Sequence, residues 1–237
     1  MAANLATVST SSQPAAQNVA ALRQVFGSIN AESCPHDYNF HMHTNHSDGQ
    51  LQPELLMKQA IALSLTGFAI TDHHRVSGYQ VAQQWLDHWR NSPEATGKTI
   101  PHFWVGAEIT SQLLGTEVHI LGFAFDPEHD AIVPYLQGTA PEGKAAQAAQ
   151  VISAIHQAGG LAMLAHPVRY RRSPDDLIPA AVNCGIDGVE TYYAYNNPKP
   201  WRASPSETQR VRQLSDRHHL LNTCGTDTHG LSLLQRI

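Results

Sequence analysis

Short, near-continuously apolar runs alternate with longer stretches whose apolar residues recur at helical spacing. YNFHMH (38–43), TGFAITDH (66–73), HFWVGAEITS (102–111), EVHILGFAF (117–125), LAMLAHP (161–167), DGVETYY (187–193) and LLNTCGTDTH (220–229) each predict a strand. NVAALRQVFGSI (18–29), PELLMKQAIALSL (53–65), GYQVAQQWLDHWRN (78–91), AAQAAQVISAIHQAG (145–159), DDLIPAAVNCG (175–185) and SETQRVRQLSDRHH (206–219) predict helices. Pro53 sits at the first turn of its helix, and Gly159-Gly160 closes another. Ser206 and Gln209 have the spacing of a capping box.

Repeated strand–helix alternation with strands apolar on both faces predicts an α/β fold with a mainly parallel sheet covered by helices. With seven strand candidates, closure into a barrel is favoured over an open sheet. Residues 1–17, rich in Ala, Ser, Thr and Gln, have no period and are expected to form a disordered tail. Residues 18–36 read as a helix and loop, and 37–237 as one domain. Two irregular segments, 126–143 and 194–205, are loops placed to overhang a site.

The strands end in polar residues able to bind metal. His41 and His43 are two apart, so both leave one face of a strand, and Asp48 follows in the loop. Later strands bring Asp72 and His73, then Glu108, His119, His166, Glu190, and finally Asp227 and His229. In a parallel barrel, strand C-terminal ends share one rim, where such folds carry their chemistry. Imidazole and carboxylate donors without thiolate suit zinc, manganese or iron better than magnesium. The donors outnumber the needs of one ion, which implies two or three divalent cations. A pair of ions roughly 3.5–4 Å apart suits displacement at phosphorus. Asp72 reads either as a partner orienting a ligand histidine or as a buried cap, and Glu190 either as a rim acid or as a satisfied core carboxylate. His46 and the Arg169-Tyr170 pair after His166-Pro167 are candidates to grip an anionic substrate, the guanidinium through paired hydrogen bonds.

Composition narrows the field. The net charge of −5 lacks the basic footprint of a duplex nucleic-acid binder. The 15 histidines far exceed the four lysines, Lys58, Lys98, Lys144 and Lys199. The three cysteines, Cys34, Cys184 and Cys224, are widely spaced and contain no CxxC, which argues against a disulfide framework and a thiolate zinc site. A reducing, cytoplasmic setting is therefore expected. The start lacks the pattern of a secretory signal, and no run of about 18 apolar residues suggests a membrane span.

The set FHMHTNHSDG, ITDHH, GAEIT, HILGF, LAHP and GTDTH, in this order between residues 37 and 230, resembles the polymerase and histidinol phosphatase (PHP) superfamily. The resemblance implies a distorted seven-stranded, TIM-like (β/α) barrel and a trinuclear metal site. It implies a first metal on His41, His43, Glu108 and Asp227, and a second on Asp48, His73 and His229. A third would lie on Glu108, His119 and His166. Ser47-Asp48-Gly49 and the HPxRY of 166–170 are similar to the branch of small phosphoesterases with nucleoside 3',5'-bisphosphate phosphatases and 5'-to-3' exoribonucleases. Histidinol phosphatases are less similar. The resemblance implies attack of a metal-activated hydroxide on a small phosphorylated substrate, a nucleotide or a short single-stranded end. The helical insertion of the nucleotide phosphatases is reduced here to 126–143. Two other functions compete. An amidohydrolase-type C–N hydrolase would want a strand-end lysine, and none of the four lysines ends a strand. A non-catalytic, metal-stabilised regulatory module would want a closed site without substrate-gripping groups.

Overall fold

The computed structural model of the chain describes residues 14–237. Seven strands form one sheet in sequence order: β1 (Tyr38–Asn39), β2 (Gly67–Ile70), β3 (His102–Leu113), β4 (Thr116–Phe123), β5 (Leu161–Leu164), β6 (Gly188–Tyr192) and β7 (Leu221–Cys224). Six helices surround it: α1 (Val19–Ser28), α2 (Pro53–Ala62), α3 (Ser77–Arg90), α4 (Ala148–Gln157), α5 (Pro174–Asn183) and α6 (Pro205–Arg217). The first and last strands approach each other through Phe40 N–H to Cys224 C=O, Asp227 N–H to His41 C=O and a Met42–Thr228 bridge. The sheet is thus a nearly closed barrel, as expected.

The sheet is not parallel throughout. β4 runs antiparallel to both β3 and β5. Only two residues, Leu114 and Gly115, connect β3 to β4, and both have positive φ. Two residues can close a hairpin but cannot make the crossover that a parallel pair needs. The consequence reaches the rim. Because β4 is reversed, His119 lies in its first half, opposite Thr110 of β3.

Other expectations need correction. Within the anticipated tail, residues 1–13 lie outside the described part of the chain. Residues 14–17 are ordered: Ala15–Gln17 form a 3-10 turn, and the Ala15 carbonyl meets His102 Nε2 at 2.8 Å. α6 begins at Pro205 with Ser204 as its N-cap, so the expected Ser206–Gln209 capping box does not form. Ser206 Oγ instead donates to Glu207 Oε2. Proline at the first helical position, with φ already near helical, sets the start earlier. Pro179 is accommodated inside α5.

The cysteine expectation also fails. Cys34 and Cys224 are joined by a disulfide across 190 positions, with Cα atoms 6.0 Å apart, and Cys184 is free. Wide sequence spacing carried no information, because barrel closure brings the start and the end of the chain together.

α1 plugs the barrel end opposite the strand-end histidines. Leu22 and Phe26, one turn apart, are buried, and Phe26 meets Phe40 and Phe123 edge-on at 4.9 and 5.6 Å. Full burial of such a side chain contributes about 1.5–3 kcal/mol. Helices α2 and α3 pack against Met42, just beyond β1, and Phe68 and Ile70 of β2 through Leu56, Met57 and Leu86. Alternation along 40–43 divides the work: Phe40 and Met42 join apolar clusters, while His41 and His43 are buried among polar groups. No described helix is long and apolar enough to cross a membrane.

Candidate metal centre

The end of β1 delivers His41 and His43 two residues apart, with ring centroids 5.2 Å apart. Glu108 of β3 and Asp227, just beyond β7, meet them. His41 Nε2 lies 3.0 Å from Glu108 Oε2 and 3.4 Å from Asp227 Oδ1. His43 Nε2 lies 3.1 and 3.2 Å from the same two oxygens. Only glycine at 225 permits this approach, since a Cβ there would fall 2.2 Å from His41 Cβ.

Three groups of potential ligand atoms result, each with all its atoms within 4.8 Å of one another: His41, His43, Glu108 and Asp227; His43, Asp48, His73 and His229; and His73, Glu108 and His119. The first contains the four residues the family resemblance implied. The second adds His43 to the expected three. In the third, His73 stands where His166 was expected. His166 remains adjacent, with Nε2 3.3 Å from Glu108 Oε1.

Do these residues suit a metal? His43 is fully buried, and although Nε2 lies 3.1 and 3.2 Å from two carboxylate oxygens, neither ring nitrogen makes a well-aligned hydrogen bond; Nδ1 of buried His166 is also unpaired. A buried polar atom without a partner loses about 1–3 kcal/mol. A divalent cation would satisfy both imidazoles and the carboxylates around them. The residues fit such a group.

Electrostatics agree. Burial alone would drive protons off His43, but Asp227 and Glu108 overcome it and raise its pKa to about 9. His41 is raised by the same contest, with burial opposed by Glu108, Glu190 and Asp227. Burial would push the carboxyl groups of Glu108 and Asp227 up, yet the surrounding imidazoles hold both well below the usual range. At His73 burial wins, and its pKa falls to about 4. The carboxylates thus call for positive charge in their midst, which a cation can supply in place of protons.

Glu190 is fully buried and faces the ligand histidines. One oxygen lies 3.0 Å from His41 Nδ1 and the other accepts the His166 N–H at 2.8 Å, fixing the orientation of His41. Asp72 touches no ligand histidine. It accepts from the Thr44 N–H, the Thr44 hydroxyl and the Ser47 hydroxyl, each at 2.7 Å, and so braces the loop that carries Asp48. His46 sits half-buried with Nδ1 2.8 Å from Ser77 Oγ. Arg169 is on the rim, with Nη1 donating to Asp227 Oδ2 at 2.9 Å. Tyr170 corrects an expectation: its hydroxyl accepts from His119 N–H and donates to Ala165 C=O, so it braces backbone rather than reaching for substrate.

Two residues at this centre escaped the sequence reading. Tyr193 donates its hydroxyl to Asp227 Oδ2 at 2.7 Å, and Arg236 Nε donates to the same oxygen at 2.9 Å. Tyr193 could have been sought beside Glu190 at its strand end. Nothing in LSLLQRI, aperiodic and without a motif, marks Arg236. Backbone geometry also marks the site: His74, His166 and Asp227 all have positive φ, a conformation that costs energy outside glycine and clusters at functional positions.

The PHP domain description matches residues 39–167, more than half of the chain. The 5'-3' exoribonuclease Rnm of Salmonella typhimurium is 24% identical over 263 aligned positions, covering 81% of this chain and 85% of the relative. An amidohydrolase from Chromobacterium violaceum, solved with bound sulfate and no metal, is 20% identical with a TM-score of 0.67, covering 82% of this chain and 88% of that one. A Bifidobacterium adolescentis protein classed as a metal-dependent phosphoesterase is 23% identical with a TM-score of 0.64, covering 81% and 87%. The two structural likenesses establish the barrel. The matched domain places this chain in the PHP domain family.

Proposed function

We propose that the protein removes phosphate from nucleotides or from the ends of short single-stranded oligonucleotides, at a centre of two or three divalent cations. The observation that carries the metal chemistry is His43, a fully buried imidazole whose nitrogens face Asp48, Glu108 and Asp227 without a well-aligned hydrogen bond to any of them. The nucleotide reading is supported by the likeness to the Salmonella exoribonuclease over most of both chains.

His41, His43, Glu108 and Asp227 would hold one cation, and Asp48, His73 and His229 a second. Glu108, with His119 and either His73 or His166, would serve a third. Such ions neutralise charge on phosphoryl oxygens and bring the pKa of a bound water toward neutrality. The donor set, without sulfur, suits manganese, zinc or iron. The chain's own groups do the rest. Glu190 fixes the tautomer of His41 through Nδ1. Arg169, 39% exposed at its side chain, grips the phosphoryl group through the N–H groups it does not spend on Asp227. His46, whose Nδ1 lies 2.8 Å from Ser77 Oγ, is the histidine of this loop available to assist the departing oxygen.

The test is phosphate release by metal-analysed protein, with manganese or zinc added. Substrates are a nucleoside 3',5'-bisphosphate, a 5'-phosphorylated short RNA, histidinol phosphate and p-nitrophenyl phosphate. Chelator-sensitive turnover of the first two, well above the others, is the expected result. Preference for histidinol phosphate would replace the nucleotide reading with that of a small-molecule phosphatase. Full metal content with no release from any of the four would sink the reading.

A further inference from the structure

We infer that Arg236 is a second anion-binding arginine, which with Arg169 clamps a phosphate oxyanion at the metal rim while holding Asp227. The inference rests on the phosphoesterase reading above and adds to it a residue from the far end of the chain.

Anchoring comes first. Residues 230–237 lie outside any helix or strand, yet side chains pin them from three directions. Leu233 is buried against the α2–α3 side of the barrel. Its carbonyl accepts from Asn39 Nδ2 at 3.1 Å and its N–H donates to Gln59 Oε1 at 3.1 Å. Gln59 Nε2 also donates to Leu231 C=O at 2.9 Å, and the Thr228 hydroxyl to Ser232 C=O at 2.8 Å. The Arg236 carbonyl then accepts the His229 N–H at 2.6 Å. A guanidinium on backbone so fixed loses little freedom when it binds.

Charge comes second. Asp227 turns Oδ1 toward His41 and His43, and Oδ2 toward Tyr193, Arg169 and Arg236. Orienting one carboxylate oxygen needs no second guanidinium when a tyrosine hydroxyl and one arginine already donate to it. Two arginines nevertheless meet one carboxylate oxygen on this side of the rim. Both side chains stay partly open to solvent, 39% for Arg169 and 19% for Arg236.

Donor geometry comes third. A guanidinium has five N–H donors in a rigid fork. Arg236 engages Asp227 through Nε and lies against the Tyr193 hydroxyl, and its terminal nitrogens have no other carboxylate partner among the described residues. Arg169 likewise engages through Nη1 alone. The unspent donors of two forks meeting at one carboxylate suit the several oxygens of a phosphate dianion, which a single fork cannot cover. A residue acting only through Asp227 would affect metal retention and leave phosphate affinity alone.

The experiment uses the full chain loaded with manganese, as wild type, Arg236→Ala and Arg236→Lys. It measures metal content per chain, calorimetric affinity for inorganic phosphate, and KM and kcat for the best ester. For Arg236→Ala the expected result is retained metal, phosphate binding weakened about tenfold or more, and KM raised in proportion. Arg236→Lys should recover part of the loss, because charge returns without the fork. Unchanged phosphate affinity in Arg236→Ala would overturn the inference, as would loss of metal with normal phosphate affinity in the chains that still carry it. If Arg236→Ala fails to fold, Arg236→Gln is read against the same criterion. Calorimetry needs no turnover. Arg236-dependent phosphate binding without hydrolysis of any ester would therefore uphold this inference and overturn the proposed function.

Discussion

Two clusters in this protein pair histidine with carboxylate, and they are built on opposite plans. Away from the rim, Asp187 accepts from Arg23 and from His156 at 2.7 Å each, and from the Ala162 N–H at 2.9 Å. Arg23 and His156 keep solvent contact, at 50% and 38% side-chain exposure. Every group in that cluster has a partner, and its result is structural: it ties α1 and α4 to the strand entering β6. At the rim, His43 has no exposure and no well-aligned hydrogen bond at either nitrogen, amid Asp48, Glu108 and Asp227. A self-satisfied cluster needs nothing further. One that buries imidazoles without aligned hydrogen bonds, and acidic oxygens within about 3 Å of them, has the donor set a cation needs. The contrast separates a metal centre from an ion-pair network without reference to any relative.

The contrast can be attacked from its strongest end. His43→Ala should lower phosphoester turnover by on the order of a thousandfold or more, with metal content reduced and thermal unfolding nearly unchanged. Chelation should do the same to wild type, reversibly on adding manganese. Wild-type turnover in a metal-checked His43→Ala protein would remove the rim from the chemistry. Glu190→Gln probes support one step further out. With the carboxylate that fixes His41 gone, metal affinity should fall about 10- to 100-fold, read by competition with a metal-sensitive dye. An unchanged affinity would make Glu190 a mere core carboxylate.

Between the clusters runs the Cys34–Cys224 link. Cys34→Ser should cost about 2–4 kcal/mol in denaturant unfolding, because the crosslink no longer restricts the unfolded chain. Turnover at saturating metal should persist. A large loss of metal in this variant would show that the link shapes the rim as well.

The smallest effect is expected at Asp187, where Asp187→Asn should cost about 1–2 kcal/mol. Burial would raise this carboxyl group's pKa, but His156, Ala162 N–H and Arg23 outweigh burial and hold it below the ordinary 3.8. A depressed carboxylate pKa contributes stability that is full above the unfolded value and lost as pH falls through the folded one. The gap between wild type and Asp187→Asn should therefore be constant near neutrality and close as pH drops below about 4. Calorimetric melting temperatures across that range would show it. A gap independent of pH would mean that shape, not charge, sets the contribution.

The sequence alone carried the alternation of strands and helices, the count of seven strands and the run of strand-end donors from His41 to His229. These are legible because each rests on local rules: period, turn residues and the two-residue repeat that puts His41 and His43 on one face. What failed were features set by neighbours distant in sequence. The reversal of β4 is the exception, because the two-residue Leu114-Gly115 connection that forces it is local. The Cys34–Cys224 bond depended on barrel closure. The bracing role of Tyr170 depended on which backbone groups came within reach. Arg236 is the clearest case. Its neighbours in sequence say nothing of chemistry, and only the path of the last residues over the rim brings its guanidinium to Asp227. Local pattern can list the groups able to do chemistry. Their pairing is fixed by long-range packing, which decides who lies within 3 Å of whom.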